Sequence, residues 1–200
     1  MWCSGSNSKI LCYNRLVRGF TLVELAVTIT VFAVIGSLAL ANYPRFSQRA
    51  SLTKTAQEIA MALRKAQSLS FGVRGVGAGS LQFPGYGVRF QLATPHEFFI
   101  FADLNGDNRY NSSDAIIETF TIHFSPSIFQ ICTGEETLPS PNCSHTALDI
   151  VYSRPQASSQ YPVIIVGAAG AADAEIKIRN PAGDTVKTVV AWTTGQVAVK

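Results

Sequence analysis

Hydrophobic and polar positions change rhythm twice along this 200-residue chain. From Phe20 to Ala41 nearly every side chain is apolar, and Glu24 carries the only charge. At 1.5 Å per residue, about 22 helical residues cross a ~30 Å hydrocarbon core. Beyond Pro44, where a kink is expected, the pattern becomes amphipathic. Leu52, Ala56, Ile59, Leu63, Ala66 and Ser70 recur at steps of four and three, with Lys54, Glu58, Arg64 and Lys65 mostly off that face. A stripe of this kind predicts a helix laid on a core, with a sheet as its cover.

The glycines of "GVRGVGAGS" (72–80) end the helical pattern, and the rest of the chain reads as strands. "YGVRFQL", "HEFFIFAD", "IETFTIHF", "SIFQIC", "LDIVYSR", "YPVIIVG", "AEIKIRN", "TVKTVVAW" and a short "QVAVK" are the candidates. "AEIKIRN" alternates cleanly, with Ala174, Ile176 and Ile178 on one side and Glu175, Lys177 and Arg179 on the other. One long helix followed only by strands predicts an α+β protein whose helix packs on an antiparallel sheet. The expected divisions are a leader at 1–19, a membrane-type helix at 20–42, an amphipathic half at 43–72 and a β-rich domain at 73–200.

Charge changes this picture little. Charged residues make up 14% of the chain, below the usual ~25%, partly because the apolar run holds almost none. The net charge of +3 comes from the front: the 16 basic residues less Lys9, Arg15 and Arg18 leave 13, equal to the 13 acidic ones. A basic surface for nucleic acid is therefore not indicated. A basic flank before an apolar helix places the N-terminus on the cytoplasmic side.

The four cysteines fall into two pairs, Cys3 with Cys12 and Cys132 with Cys143. "CTGEETLPSPNC" closes a short loop, and in an exported protein it reads as a disulfide worth roughly 2–3 kcal/mol. Two free thiols are the cytosolic alternative. A zinc site lacks a second pair at ligand spacing.

The order basic segment, Gly19, Phe20-Thr21-Leu22-Val23-Glu24 and apolar run resembles the type IV prepilin signal. That resemblance implies cleavage between Gly19 and Phe20 by a prepilin peptidase and N-methylation of Phe20. It leaves 181 residues (200 less the 19 removed). It also gives Glu24 an assembly role, pairing with the amino terminus of a neighbouring subunit. A carboxylate near the centre of a membrane helix costs about 2.5–3.5 kcal/mol; Glu24, near the edge, costs less, and an opposite charge in a low-dielectric medium removes much of that penalty. Snorkelling toward the headgroups is the structural alternative for Glu24. Ala39-Leu40-Ala41 offers a competing secretory cleavage site, which would start a soluble protein at Asn42. An uncut anchor is a third alternative.

The helix "AQEIAMALRKAQSLS", the β-rich body and the ending "VVAWTTGQVAVK" are similar to FimT/GspH-type minor pilins and pseudopilins. This similarity implies a structural subunit of a type IV pilus or type II secretion pseudopilus. Its partners would be other pilin or pseudopilin subunits, the prepilin peptidase and an inner-membrane assembly platform. It would sit in the bacterial inner membrane, then in a surface pilus or periplasmic pseudopilus. A pilus-tip adhesin or DNA-binding minor pilin is the second class. DNA-binding relatives carry arginines after a glycine near the end, whereas Gly195-Gln196-Val197-Ala198-Val199-Lys200 has one lysine. Phosphate-backbone binding needs several cations together, so nucleic acid is unsupported as a partner.

"DLNGDNRYNSSD" spaces Asp103, Asn105, Asp107, Arg109, Asn111 and Asp114 at positions 1, 3, 5, 7, 9 and 12 of a loop. Oxygens alternating along a turning backbone suit Ca²⁺, with Arg109 offering only its carbonyl. Gly106 and the final Asp depart from an EF-hand, and the loop is closer to a dockerin type. A hydrophilic turn built on Asn-Gly-Asp explains the same residues without metal, so calcium stays an open expectation and no other cofactor is expected. Enzyme signals are poor. His96, His123 and His145 are scattered, and "GVRGVGAG" follows a helix and lacks the Lys-Ser/Thr of a phosphate loop.

Overall fold

The structure, a computed structural model, describes residues 19–72, 84–123, 126–153, 163–166 and 171–200. Residues 1–18 of the leader, with Cys3 and Cys12, and most of the glycine stretch lie outside them. Helix α1 runs Leu22–Phe71, through Pro44. That proline has no N–H, so the carbonyl four residues back lacks its intrahelical donor. The chain divides into two compact units at this place, Met1–Tyr43 and Pro44–Lys200.

In the second unit the expected stripe is the buried face of α1: Leu52, Ala56, Ile59, Leu63, Ala66 and Ser70 are all within 1% of full burial. Thr55, Ala60 and Ala62 widen it. The helix ends where the Gly72 N–H bonds the Ser68 carbonyl at 2.9 Å.

All nine candidate strands form, as β1 Gly85–Gln91, β2 Glu97–Asp103, β3 Ala115–Thr121, β4 Ser127–Thr133, β5 Ala147–Tyr152, β6 Val163–Val166, β7 Asp173–Arg179, β8 Val186–Trp192 and β9 Val197–Val199. They make two antiparallel sheets rather than one, ordered β3-β2-β1-β5-β6 and β4-β7-β8-β9. Alternation along a strand fixes its faces but not its partner. β4 leaves β3 and pairs instead with β7, from Ser127 opposite Arg179 to Thr133 opposite Ala174. A backbone bond links the sheets, from the Ile128 N–H of β4 to the Pro95 carbonyl just before β2 at 2.9 Å, while the Ile122 N–H extends the β2–β3 pairing to the His96 carbonyl at 2.7 Å. Edge strand β3 carries a register shift opposite Ile100 and Phe101, an irregularity that discourages edge pairing.

One apolar cluster joins the α1 stripe to Val88, Phe90, Phe98 and Ile150 of the larger sheet and Ile131, Ile176 and Val189 of the smaller one. Polar pins fix the helix on it. Ser70 donates to the Tyr152 carbonyl at 2.6 Å, and Arg64 to the Val197 carbonyl at 3.2 Å. Buried Asn180, at the β7–β8 turn, donates to Gln48 at 3.3 Å and Asp184 at 2.5 Å and accepts from the Thr185 N–H.

Candidate functional site

At the front, Thr21 is the N-cap of α1. Its carbonyl accepts the Leu25 N–H at 3.1 Å, and its Oγ1 accepts the Glu24 N–H at 3.2 Å. Thr-x-x-Glu is a capping-box sequence, and it places Glu24 in the first turn, where the helix dipole favours a negative charge. Gly19 and Phe20 precede the helix. A Cβ built on Gly19 would meet no atom within 4 Å, and its φ is not left-handed. No packing or backbone demand among the described residues explains a glycine there.

Leu22–Leu40 is long and apolar enough to cross a membrane, and none of it is buried. Phe20 is 77% exposed and Leu22 84%. Three hydroxyls along this stretch are satisfied within it. Thr28, Thr30 and Ser37 donate their hydroxyls to the carbonyls of Leu25, Ala26 and Val34 at 2.8–2.9 Å. A surface of this kind requires lipid or other helices as its solvent.

The residues Asp103–Asp114 form a turn that consumes its own oxygens. Asp103 accepts the N–H groups of Gly106 and Asn108, both at 2.8 Å, and Asp114 accepts those of Leu104 at 3.1 Å and Asn111 at 2.7 Å. Asp107 accepts the Arg109 N–H and the side-chain amides of both Asn105 and Asn111. Gly106 and Asn108 supply the left-handed backbone, at φ 76° and 62°. The six named positions thus come together as a hydrogen-bonded turn. Among the described residues no group of three or more His, Cys, Asp or Glu is arranged to hold a metal ion.

This turn lies over the outer face of the larger sheet, a placement that the sequence did not signal. The Tyr110 ring stands edge-on to Phe99 and Phe101, with centroids 4.8 and 5.4 Å away, and Arg89 lies 5.4 Å over it. Arg89 donates to both oxygens of Asp149, its partner in register across β1 and β5, at 2.8 and 3.0 Å. Burial pushes the Asp149 carboxyl up, and the nearby Arg89 guanidinium only partly offsets it.

Cys132 and Cys143 are bonded, closing an 11-residue separation. Thr133 and Asn142 close the same loop through two backbone bonds of 2.8 and 3.0 Å. Gly134, at φ 79°, has to be glycine: a Cβ there would sit 2.6 Å from Leu138. The loop lies on the smaller sheet. Asp173 accepts from the Glu136 N–H at 3.1 Å and from the Thr137 hydroxyl, Lys177 pairs with Glu135 at 2.7 Å, and Lys200 pairs with Glu136. Glu175, expected opposite the apolar side of β7, is buried beneath this loop rather than facing water.

Residues 14–40 match the family model of the prokaryotic N-terminal methylation motif. The chain is also similar to a probable minor fimbrial protein of Dichelobacter nodosus, 34% identical over 67 residues. That similarity covers 33% of this chain and 42% of the relative, so less than half of the relative's length is matched. No solved structure matches the chain.

Proposed function

We propose that this chain, which carries a prepilin-type N-terminal methylation motif, is a structural subunit of a type IV pilus or type II secretion pseudopilus and not an enzyme. The observation that carries this is the start of α1. It is an apolar helix with no buried residue between Leu22 and Leu40, capped at Thr21 and preceded by a glycine that nothing among the described residues requires. A peptidase that needs a residue without a side chain before the cut gives Gly19 its reason. The cut frees an amino group on Phe20, one helical turn from Glu24.

The mature helix then serves twice. In the inner membrane it is an anchor with its N-terminus cytoplasmic, and in the filament it packs against the same helix of other subunits. Glu24 offsets the positive amino terminus of a neighbour in a medium where both charges would otherwise be costly. The Pro44–Lys200 unit is the outward-facing body. Similarity to a minor fimbrial protein favours a low-abundance subunit over a major one. DNA capture is not favoured, because Val197–Val199 is committed to the sheet and Lys200 to Glu136. Calcium in the Asp103–Asp114 turn is likewise not part of this role, since its carboxylates already serve backbone N–H groups.

Mass spectrometry of the mature protein tests the processing. Methylated Phe20 at the N-terminus is the expected result, and Asn42 or Met1 there overturns it. Glu24→Ala should leave that processing intact and abolish incorporation into filaments.

A further inference from the structure

Glu175 is 1% exposed, and among the described residues neither carboxyl oxygen meets a donor in hydrogen-bond geometry. It sits on β7 opposite Cys132 of β4 and Val190 of β8, under the disulfide loop. Such a group is expensive as a charge and is normally neutralised or paired. Its neighbour is Asp173, two residues earlier on the same face and fully buried. Asp173 is the loop's main anchor: its carboxylate takes the Glu136 N–H and the Thr137 hydroxyl, and its carbonyl takes the Gly134 N–H at 3.1 Å.

Two adjoining buried carboxyls cannot both ionise cheaply. The charge belongs on Asp173, which has the donors, and the proton on Glu175, whose O–H can then donate to Asp173. We propose that Glu175 and Asp173 form an acid–carboxylate latch, in which one shared proton holds the Cys132–Cys143 loop on the smaller sheet and its loss to water loosens the loop.

Burial, the bond to Asp173 and the charges of Asp173 and Glu135 together push Glu175 up to about 8, while the Glu135 N–H opposes them weakly. Burial also acts to raise Asp173, but its hydrogen bonds from Glu175, Thr137 and Glu136 outweigh it and hold that carboxyl below its ordinary value. The other charged and titratable groups around the pair are engaged. Glu135 pairs with Lys177, Glu136 with Lys200, and His145 bonds Thr133 at 2.9 Å. Because Glu175 holds its proton more tightly when docked, the docked form is favoured most below the ordinary value of 4.5. That advantage is lost as pH rises through the window up to about 8.

The test uses the full processed chain in detergent micelles, with the disulfide intact. Hydrogen exchange of the Gly134, Glu136 and Leu138 amides is followed from pH 5 to 8, relative to β1 and β2 amides in the same sample. Relative protection should fall by up to about tenfold per pH unit. It should stay flat in Glu175→Gln, which keeps a donor toward Asp173, and should still fall in His145→Gln. Flat protection in the unmodified chain, an unchanged fall in Glu175→Gln, or loss of the fall in His145→Gln overturns the latch. If Glu175→Gln does not fold, the ¹³C carboxyl shift of Glu175 decides the matter. A midpoint near 8 supports the latch, and one in the ordinary carboxylate range overturns it.

Discussion

Tyr110 brings its backbone N–H to the Asp149 carboxylate at 3.3 Å, fastening a turn rich in acidic residues to the centre of a sheet face. The same carboxylate takes both bonds from Arg89, so one nearly buried ion pair carries the turn. Arg89→Met should therefore cost about 3 kcal/mol at pH 7, because it leaves Asp149 buried and unpaired. Burial already raises the Asp149 carboxyl above 3.8, and loss of Arg89 would raise it further. A group raised in the folded state favours folding at low pH, so the variant's deficit should shrink as pH falls toward 4. Urea unfolding at the two pH values checks this. An equal deficit at both would mean that Arg89 acts only by packing on Tyr110.

Gly87 tests how tightly the same face is closed. A Cβ there would lie 2.6 Å from the Phe101 ring and 2.9 Å from Val151, both buried. Gly87→Ala should destabilise by about 1–3 kcal/mol through overpacking. Gly106→Ala meets no atom but keeps a left-handed φ, so its cost should be about 1–2 kcal/mol of backbone strain alone. Calorimetry separates the cases when Phe101→Leu is added: it should relieve the first and leave the second unchanged.

These positions mark where the sequence was legible and where it was not. The stripe from Leu52 to Ser70 and all nine strands announced themselves, because burial on one side imposes a period of 3.6 or 2. The motif at Gly19–Glu24 is local and was readable for that reason. Partner choice was not. Nothing in "SIFQIC" says that β4 pairs with β7, 46 residues on, so the split into two sheets was missed. Arg89–Asp149, Ser70–Tyr152 and Glu175–Asp173 were missed similarly, since the first two join residues 60 and 82 positions apart. Glu175 misled most. In an alternating strand a Glu opposite three apolar residues reads as solvent-facing, and only the folded-back loop makes that face an interior.

The Asp103–Asp114 turn makes a prediction about metal. Its carboxylates accept at least six hydrogen bonds from within the loop, so binding a cation would require them to turn away. The melting midpoint in millimolar calcium should equal that in chelator. A rise abolished by Asp107→Ala would instead establish the turn as a calcium site.

The Cys132–Cys143 bond should act mainly on the unfolded chain. For a loop this short, its removal by the pair Cys132→Ala and Cys143→Ala should cost about 2–3 kcal/mol in chain entropy. The folded loop has separate fastenings: the Thr133–Asn142 backbone bonds, the Leu138 N–H on the Gly134 carbonyl at 2.8 Å, and Asp173. At pH 5, where Glu175 keeps its proton, the Leu138 amide of this double variant should thus stay protected from exchange even as the unfolding midpoint drops. Free exchange at Leu138 would mean that the disulfide, and not Asp173, holds the loop on the sheet.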